Sequence, residues 1–293
     1  MEIRRNGRHR RSGSSGMSRL IITAFILFGI IFLFWSNLQE FQSNTLEESG
    51  LPEYLPDTVA GSIYRKPHFT LSYSESHELA EWVTYRLSEG MLNQPKTSRT
   101  QDFEPDPAIQ TGSAHYMDYK NSGYRRGHLV PAADMSWNKQ AMDATFLMSN
   151  VAPMREHFND GIWLELEHQI RDWARRLGEL IIISGPVLED SLGTIGRNEV
   201  FVPRKYYKAV FAIVDDKPQV IGFLFDQTDP SPGMLEDYII PIDSLEKLIS
   251  LDLFANLYGD WEIDIEMESR ESSIDPVWSI NERWTEERMK VQN

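Results

Sequence analysis

Four stretches of the chain have the apolar pattern of β-strands. Residues 69–73 alternate between apolar and polar side chains, which is typical of a strand with one buried face. Residues 180–183 are continuously apolar and end at a Ser-Gly-Pro turn, and residues 209–214 and 220–225 are also short apolar runs. Such runs predict buried strands.

Three other stretches have helical signals. After Ser76, apolar side chains recur at positions 79, 82, 83 and 87, which predicts a helix. Residues 163–177 carry one apolar stripe, and Gly178 follows as the expected C-cap. Asp243 and Glu246 have the spacing of a capping box in front of another helix. Because strand and helix signals do not alternate regularly, the predicted fold class is α+β.

An apolar segment near the N-terminus predicts a transmembrane signal anchor. Residues 20–35 are interrupted only by Thr23 and Gly29. A helix of this length spans about 24 Å, slightly less than the ~30 Å hydrocarbon core of a bilayer. Arg19 and Trp35 can reach the interfaces at its two ends. A cleaved signal peptide and a buried core helix are the alternatives, although no small-residue cleavage site follows the segment.

Charge predicts the orientation of this anchor and the division of the chain. Residues 1–19 contain six arginines and one glutamate, a net charge of +5, and form a basic cytoplasmic stub under the positive-inside rule. Residues 36–58 are polar and predict a linker outside the cytoplasm. Residues 59–262 contain the strand and helix signals and predict the folded domain. Residues 263–293 are acidic with few aliphatic side chains, which predicts a peripheral or partly disordered extension.

Composition limits the classes of function. The net charge of −15 becomes −20 without the basic stub, which argues against a protein that binds nucleic acid tightly and statically. This negative charge is still compatible with an enzyme that neutralises one phosphate locally with a metal ion and a few arginines. The sequence contains no cysteine, which excludes disulfides and thiolate metal sites.

Residues 122–135 include side chains suited to phosphodiester chemistry. Arg126 is a phosphate ligand by type, Gly127 lets a phosphate or another backbone come close, and His128 titrates near neutrality. Phosphodiester hydrolysis needs a base for water and a cation for the phosphate. A single histidine is more often structural, so both interpretations stay open on these residues alone.

Three polar residues accompany the predicted helix at 163–177. Asn159 precedes it, where an asparagine usually serves as N-cap. Glu167 and Arg171 are four residues apart, the usual spacing of a surface salt bridge. Glu167 also lies at the edge of the apolar stripe, where a carboxylate needs a partner. Judged alone, none of these three residues defines a site.

Taken together, these segments resemble the DNA/RNA non-specific endonucleases of the ββα-metal (His-Me finger) type. Residues 125–128 are similar to the Asp-Arg-Gly-His motif of that family, with arginine in place of the aspartate. Residues 145–153 and 159–167 keep the order and spacing of the family. The resemblance covers about residues 59–262. It implies a central, antiparallel-rich sheet flanked by helices, here preceded by one transmembrane helix.

The resemblance implies roles for four residues of a catalytic and metal-binding set. His128 matches the general base, and Asn159 matches the one direct protein ligand of a single Mg²⁺, with Mn²⁺ or another divalent cation as alternatives. Glu167 would contact the metal through water, and Asn150 would position the His128 region. The products would carry 5′-phosphate and 3′-hydroxyl ends.

It also implies a set of arginines that bind the substrate. Arg126, which belongs to the catalytic set as well, and Arg171 match arginines that hold the scissile phosphate and stabilise its developing charge. Arg99 matches a further substrate arginine by looser spacing. Arg125, in place of the aspartate, is expected to lie beside His128 and to lower the pKa of that imidazole.

The resemblance identifies DNA and RNA as substrates and a homodimer as a candidate assembly. A catalytically weak relative that binds nucleic acid or another partner at the membrane is the alternative, and a phosphodiesterase for small substrates is a third hypothesis. The predicted location is a bacterial inner membrane, with the nuclease domain on the extracytoplasmic side. A mitochondrial inner membrane, with the domain facing the intermembrane space, is the alternative because family members occur there.

Overall fold

An antiparallel sheet forms the centre of the fold, in a computed structural model that describes residues 55–56, 61–100, 102–254 and 276–292. The strands in these residues are β1 (Ser62–Lys66), β2 (Phe69–Ser74), β3 (Leu79–Ser88), β4 (Arg125–His128), β5 (Val151–Met154), β6 (Glu179–Pro186), β7 (Ser191–Ile195), β8 (Val200–Pro203), β9 (Lys205–Val214), β10 (Lys217–Asp226) and β11 (Ile239–Ile240). The α-helices are α1 (Glu89–Leu92), α2 (Lys139–Thr145), α3 (Trp163–Leu177), α4 (Ile242–Ile249) and α5 (Glu282–Gln292). Short 3₁₀ turns lie at Tyr116–Tyr119, Met148–Asn150, Leu235–Tyr238 and Pro276–Trp278, and a π-helical turn lies at Phe158–Ile162.

Within the described residues, seven strands form one sheet in the order β1-β2-β3-β6-β9-β10-β11. Every neighbouring pair in it is antiparallel. Strands β4 and β5 pair separately as an antiparallel ribbon, as do β7 and β8. This mixed architecture agrees with the predicted α+β class and its antiparallel-rich sheet.

The four predicted strands are all present, as parts of β2, β6, β9 and β10. The half-buried character predicted for β2 is wrong, because all six of its residues are buried. Its polar positions are also enclosed, and Ser72 Oγ donates a hydrogen bond to the Glu81 carboxylate on β3 at 2.8 Å. Alternation of side-chain type therefore did not mean alternation of burial here.

The helix predicted after Ser76 is wrong, since that segment is strand β3. The chain reverses at Glu78, whose φ is 53°, and β3 then pairs with β2 on one edge and β6 on the other. A strand buried on both faces carries apolar residues at both odd and even positions. Its pattern can therefore imitate helical spacing, and pairing within the sheet decides the conformation.

The long predicted helix is confirmed as α3, which ends at Gly178 with a φ of 93°. Its apolar stripe is buried against the sheet. The capping box predicted before α4 is wrong. That helix starts at Ile242 after Pro241 and has no side-chain cap. Glu246 instead accepts a hydrogen bond from the backbone N–H of Leu253, at 2.9 Å.

The core has two layers, one on each face of the central sheet. One layer holds α3, the β4–β5 ribbon and the facing side chains of the sheet, and the other holds α4. The ribbon is attached to the sheet by a hydrogen bond of 2.8 Å from the Tyr206 hydroxyl on β9 to the Pro153 carbonyl on β5. The order β4, β5, α3 places a two-stranded ribbon directly before the long helix on this face.

The end of the chain packs on the outer side of α3. The Trp173 indole donates to the Ser279 carbonyl at 3.0 Å, and the Trp284 ring stacks on His168 at 4.4 Å between ring centres. Arg288 forms a buried ion pair with Glu165 of α3. Apolar and ionic contacts therefore hold residues 276–292 against the outer side of the helix, and residues 263–275 of the predicted extension lie outside the described residues.

Several sequence predictions lie outside the described residues. These are the basic stub at 1–19, the anchor at 20–35, most of the linker at 36–58 and the acidic stretch at 263–275. Within the part of the chain that the structure describes, no helix is long and apolar enough to cross a bilayer.

Replacing Arg288 should destabilise the protein strongly. Arg288→Met leaves Glu165 buried without its cation, and breaking a buried pair costs about 3–5 kcal/mol. Arg283→Met is the control, because its pair with Glu287 on the same helix is exposed and contributes less than about 1 kcal/mol. Urea denaturation measures both free energies of unfolding. Equal stability of the two variants would contradict the docking of α5.

Candidate active site

The β4–β5 ribbon presents the motif residues. In its register Arg126 lies opposite Pro153 and His128 lies opposite Val151. Because side chains alternate along a strand, Arg126 and His128 project from the same face of β4. The strand ladder therefore brings a cation and an imidazole together, as the sequence predicted.

His128 lies between two phenylalanine rings. The centre of its imidazole is 5.3 Å from the ring of Phe103 and 5.0 Å from the ring of Phe146. Its Nε2 is buried and makes no hydrogen bond with any described residue. Burial, followed by the charges of Arg99 and Arg126, lowers the pKa of His128 to about 3. The imidazole is therefore neutral at physiological pH.

The same two rings carry the arginines of the site. The guanidinium carbon of Arg126 is 4.6 Å from the centre of the Phe103 ring, and that of Arg99 is 5.2 Å from the Phe146 ring. Both arginines have exposed side chains. Stacking on an aromatic face orients a guanidinium while leaving its N–H edge available to an anion. The structure thus places Arg99 near His128, although its spacing in the sequence matched the substrate arginine of the family only loosely.

Arg125 has a different position from the one expected. Its side chain is exposed and forms an ion pair with Glu156, which raises the pKa of the arginine. The charges that lower the pKa of His128 are those of Arg99 and Arg126. The prediction that Arg125 lowers that pKa is therefore wrong, because alternation along β4 projects Arg125 from the other face of the ribbon.

Asn150 holds the backbone that follows His128. Its side-chain oxygen accepts from the Val130 N–H at 2.9 Å, and its side-chain nitrogen donates to the carbonyls of Val130 and Thr145 at 3.0 Å each. Its own carbonyl accepts from the Leu129 N–H at 3.0 Å. The fully buried Asn150 thus holds the turn after the histidine in place.

Asn159 does not cap a helix, so that alternative is wrong. It lies inside the π-helical turn before α3, and its side-chain nitrogen donates to Asp160 Oδ1 at 2.6 Å. That bond directs the amide oxygen the other way. The oxygen lies 3.0 Å from where a β-carbon on Gly127 would be, so it is beside the residue that precedes His128.

Glu167 and Arg171 are both buried, and they do not form the surface salt bridge considered above. Arg171 pairs instead with Asp134, at 2.7 Å between Nη1 and Oδ1, and the Tyr85 hydroxyl donates to the same carboxylate at 3.0 Å. The Arg171 guanidinium is thus committed to a buried network, whereas the sequence predicted a contact with substrate phosphate. Among the described residues, Glu167 has no cation within ion-pair distance.

Electrostatics couples Glu167 to the sheet beneath it. Burial raises the pKa of Glu167 above its ordinary value, and the charges of Lys208 and Arg171 oppose that rise. Burial lowers the pKa of Lys208, and the charge of Glu167 opposes that fall. The two groups therefore stabilise each other's charged form across the interface between α3 and β9.

The donors at this place fit a hard divalent cation. The Asn159 amide oxygen is oriented by Asp160, and α3, which follows that turn, carries the buried Glu167 carboxylate without a contact ion pair among the described residues. Oxygen donors of this kind suit Mg²⁺, which keeps several waters and needs few protein ligands. In the described residues there is no group of three or more histidine, aspartate or glutamate side chains that could hold a metal.

The structure brings His128, Arg126 and Arg99 together, ties Asn150 to the backbone after His128 and places Asn159 beside Gly127, whereas Glu167 and Arg171 are buried on α3. Sequence reasoning assigned no role to the following residues of the site: Phe103, Phe146, Asp134, Asp160 and Lys208. The sequence could have drawn attention to Lys208, because a charged residue inside an apolar strand needs a specific partner. Phe103 carried no such signal, since it lies in an irregular polar stretch far from the motifs.

The sequence profile of the family described as DNA/RNA non-specific endonuclease matches residues 49–260. The chain is 34% identical to the mitochondrial nuclease EXOG of Danio rerio over 218 residues, which cover 69% of this chain and 63% of that protein. It is 30% identical to a nuclease of Nostoc sp., with 69% and 76% of the two chains covered. It is 29% identical to the mitochondrial endonuclease G of Homo sapiens, with 64% and 68% covered.

The matched region spans less than two thirds of the length of the EXOG proteins, between 55% and 64% in Danio rerio, Xenopus laevis and Homo sapiens. Among solved structures, a chain from the EndoG/EndoGI complex superimposes with a TM-score of 0.63 at 23% identity. That match covers 69% of this chain and 89% of the other. This likeness concerns the fold.

Gly127→Ala should strain the ribbon, because the added β-carbon would lie 2.2 Å from Met154 Sδ and 3.0 Å from Asn159 Oδ1. We expect a loss of about 1–3 kcal/mol in the free energy of unfolding, as for other overpacked sites. Gly90→Ala is the control, since its nearest neighbour would be Ser88 Oγ at 3.7 Å. Urea denaturation compares the two, and a Gly127→Ala protein as stable as the control would refute the close approach.

Proposed function

The chain belongs to the DNA/RNA non-specific endonuclease family, and from this premise we propose that it is a metal-dependent endonuclease that hydrolyses DNA and RNA without sequence preference. The observation that carries the proposal is the environment of His128. Its neutral imidazole has a buried Nε2 with no hydrogen-bond partner among the described residues, and it packs against the two phenylalanine rings on which Arg126 and Arg99 stack. The Asn159 amide oxygen lies beside the preceding residue, Gly127. A purely structural histidine would use its ring nitrogens in hydrogen bonds.

His128 acts in this proposal as the general base. It removes a proton from a water molecule, whose oxygen attacks the phosphorus atom while the bond from phosphorus to the 3′ oxygen breaks. The 3′ oxygen takes a proton from solvent water as it leaves, and the new ends are a 5′-phosphate and a 3′-hydroxyl. The low pKa of His128 keeps the base deprotonated in the resting enzyme.

Arg126 and Arg99 bind the scissile phosphate and stabilise its developing charge. Both are exposed, and their stacking on Phe103 and Phe146 orients them before the substrate arrives. Such local positive charge allows an acidic chain to hold one phosphate and then release the product. Arg125 contributes to substrate binding from the outer side of the ribbon, where its pair with Glu156 is exposed and can exchange.

Asn159 would hold the Mg²⁺ ion directly and Glu167 would hold it through water, with Mn²⁺ or another divalent cation as a substitute. When bound, the ion would act as a Lewis acid that stabilises negative charge on the phosphate and on the departing oxygen. Asp160 orients the Asn159 amide, and Asn150 positions the backbone beside His128. Arg171 contributes to the electrostatic field of the site while it is paired with the buried Asp134. We assign it no direct contact with the phosphate.

The proposal includes a membrane anchor at residues 20–35 and a nuclease domain that faces away from the cytoplasm. EXOG and endonuclease G are mitochondrial by name, which favours the mitochondrial inner membrane over a bacterial one as the location of this chain. A homodimer is the proposed assembly, and nucleic acid is the proposed substrate.

His128→Ala should remove nuclease activity while leaving the fold intact. Loss of a general base costs about 10²–10⁴-fold in rate. Plasmid digestion is followed with Mg²⁺ and with EDTA, and His77→Ala serves as the control because the His77 ring nitrogen bonds to Ser74 and Ser76 and the ring packs on Phe201, not on the residues of the candidate site. A folded His128→Ala protein that cuts at the wild-type rate would exclude this base.

If the wild-type protein binds plasmid but does not cut it, the result would favour the alternative function, a catalytically weak relative that binds nucleic acid.

Asn159→Ala should raise the Mg²⁺ concentration needed for half-maximal activity by at least about tenfold. Its effect on stability should be small, because its side chain bonds only to the exposed Asp160 among the described residues. Asn138→Ala is the matched control, since Asn138 caps α2 through a 3.0 Å bond to the Ala141 N–H. That variant should lose about 0.5–2 kcal/mol of stability with an unchanged Mg²⁺ requirement. The opposite pattern would place the metal ligand elsewhere.

A further inference from the structure

A fully buried lysine lies beneath the candidate site. Lys208 on β9 is 0% exposed. Its Nζ donates to the Leu129 carbonyl at 3.1 Å and to Ser184 Oγ at 3.2 Å, and it lies 4.2 Å from the centre of the Trp163 ring. These contacts, within the described residues, include no carboxylate at ion-pair distance. A buried ammonium group is costly under such conditions, so its retention calls for an explanation.

The first part of the explanation is the backbone that follows the base. The three successive carbonyl oxygens of residues 128–130 accept hydrogen bonds from three different side chains: Trp163 Nε1 (3.3 Å), Lys208 Nζ (3.1 Å) and Asn150 Nδ2 (3.0 Å). Of these donors only Lys208 is charged, and charge-assisted bonds are the stronger ones. Lys208 also comes from β9, an interior strand of the seven-stranded sheet, so it ties the segment to that sheet.

The second part is the charge of Glu167. This carboxylate is buried on α3, one turn after Trp163, and Lys208 Nζ lies 4.2 Å from the centre of the Trp163 ring. Arg171, another cation on the same helix, is already paired with Asp134. Lys208 therefore faces two features of the site, the backbone beside His128 and the carboxylate that would hold metal through water.

We propose that Lys208 is a positioning residue of the endonuclease reaction, which fixes the backbone next to His128 and balances the charge of Glu167. The inference rests on the proposed function, because it assigns Lys208 to the same site. Lys208 belongs to the central sheet, and it would support the site without contacting substrate or metal.

Lys208→Met tests the proposal, since methionine is of similar length but has neither the charge nor the donor. The matched control is Val210→Ala, a fully buried defect on the same strand and the same face. We expect Lys208→Met to lower kcat about 10- to 100-fold, as for other outer-shell partners of a metal site. KM should change less than about threefold, and Val210→Ala should keep kcat within about threefold at a comparable loss of stability.

A second measurement does not depend on activity. Hydrogen exchange of the Leu129 and Val130 amides, followed by NMR, should be at least about tenfold faster in Lys208→Met than in Val210→Ala at equal global stability. The Lys208→Gln variant keeps an N–H donor without the charge, so it should retain amide protection better than Lys208→Met while kcat still falls. In a Glu167→Gln background, Lys208→Met should cost less in kcat than it does in the wild type.

The outcomes separate this inference from the proposed function. If the wild type cuts no nucleic acid, the function fails, and amide exchange still decides whether Lys208 orders the segment. If folded Lys208→Met keeps wild-type kcat and wild-type amide protection, the inference is overturned while the function stands. Failure of both Lys208 variants to fold where Val210→Ala folds would make Lys208 a stability residue and overturn the inference as well.

Discussion

The antiparallel pairing of β4 with β5 is the interaction on which the arrangement of the site depends. Its register decides that Arg126 and His128 share one face of the ribbon and that Arg125 projects from the other. With this register, the ribbon can lie close to the turn at 158–162 only because Gly127 has no side chain. The helix α3 follows directly, so the strand pairing also sets where Asn159 and Glu167 lie relative to the histidine.

Charge is arranged in two layers around this ribbon. On the outer side, two arginines stack on phenylalanine rings beside the imidazole and face solvent. On the inner side, Asp134 and Arg171 form a buried pair, and Glu167 and Lys208 balance each other across α3 and β9. The net charge of −15 therefore says little about the site, because a few cations in an aromatic and partly desolvated setting dominate the local field.

Helix α3 connects the site with the end of the chain. Its inner face carries Glu167 and Arg171, and its outer face receives the C-terminal segment through Trp284, Arg288 and neighbouring contacts. A helix is rigid along its axis, so contacts on the outer face help to fix the position of the groups on the inner face. The C-terminal segment is thus part of the framework of the site even though it lies beyond the region matched by the family.

The sequence by itself determined the elements whose signals are local. The stripe and glycine C-cap of α3, the apolar runs of β6, β9 and β10, and the segment around His128 were all predicted because periodicity, turn residues and chemical type are properties of neighbouring positions. Tertiary structure decided the rest. It made β3 a strand through pairing on both edges, and it paired Arg171 with Asp134. It also placed Asn159 inside a π-helical turn, brought Phe103 and Arg99 close to the histidine and placed Lys208 against the Leu129 carbonyl. These outcomes depend on contacts between residues far apart in the chain, and the free energy of burying a charge or pairing a strand is set by partners that local sequence does not specify.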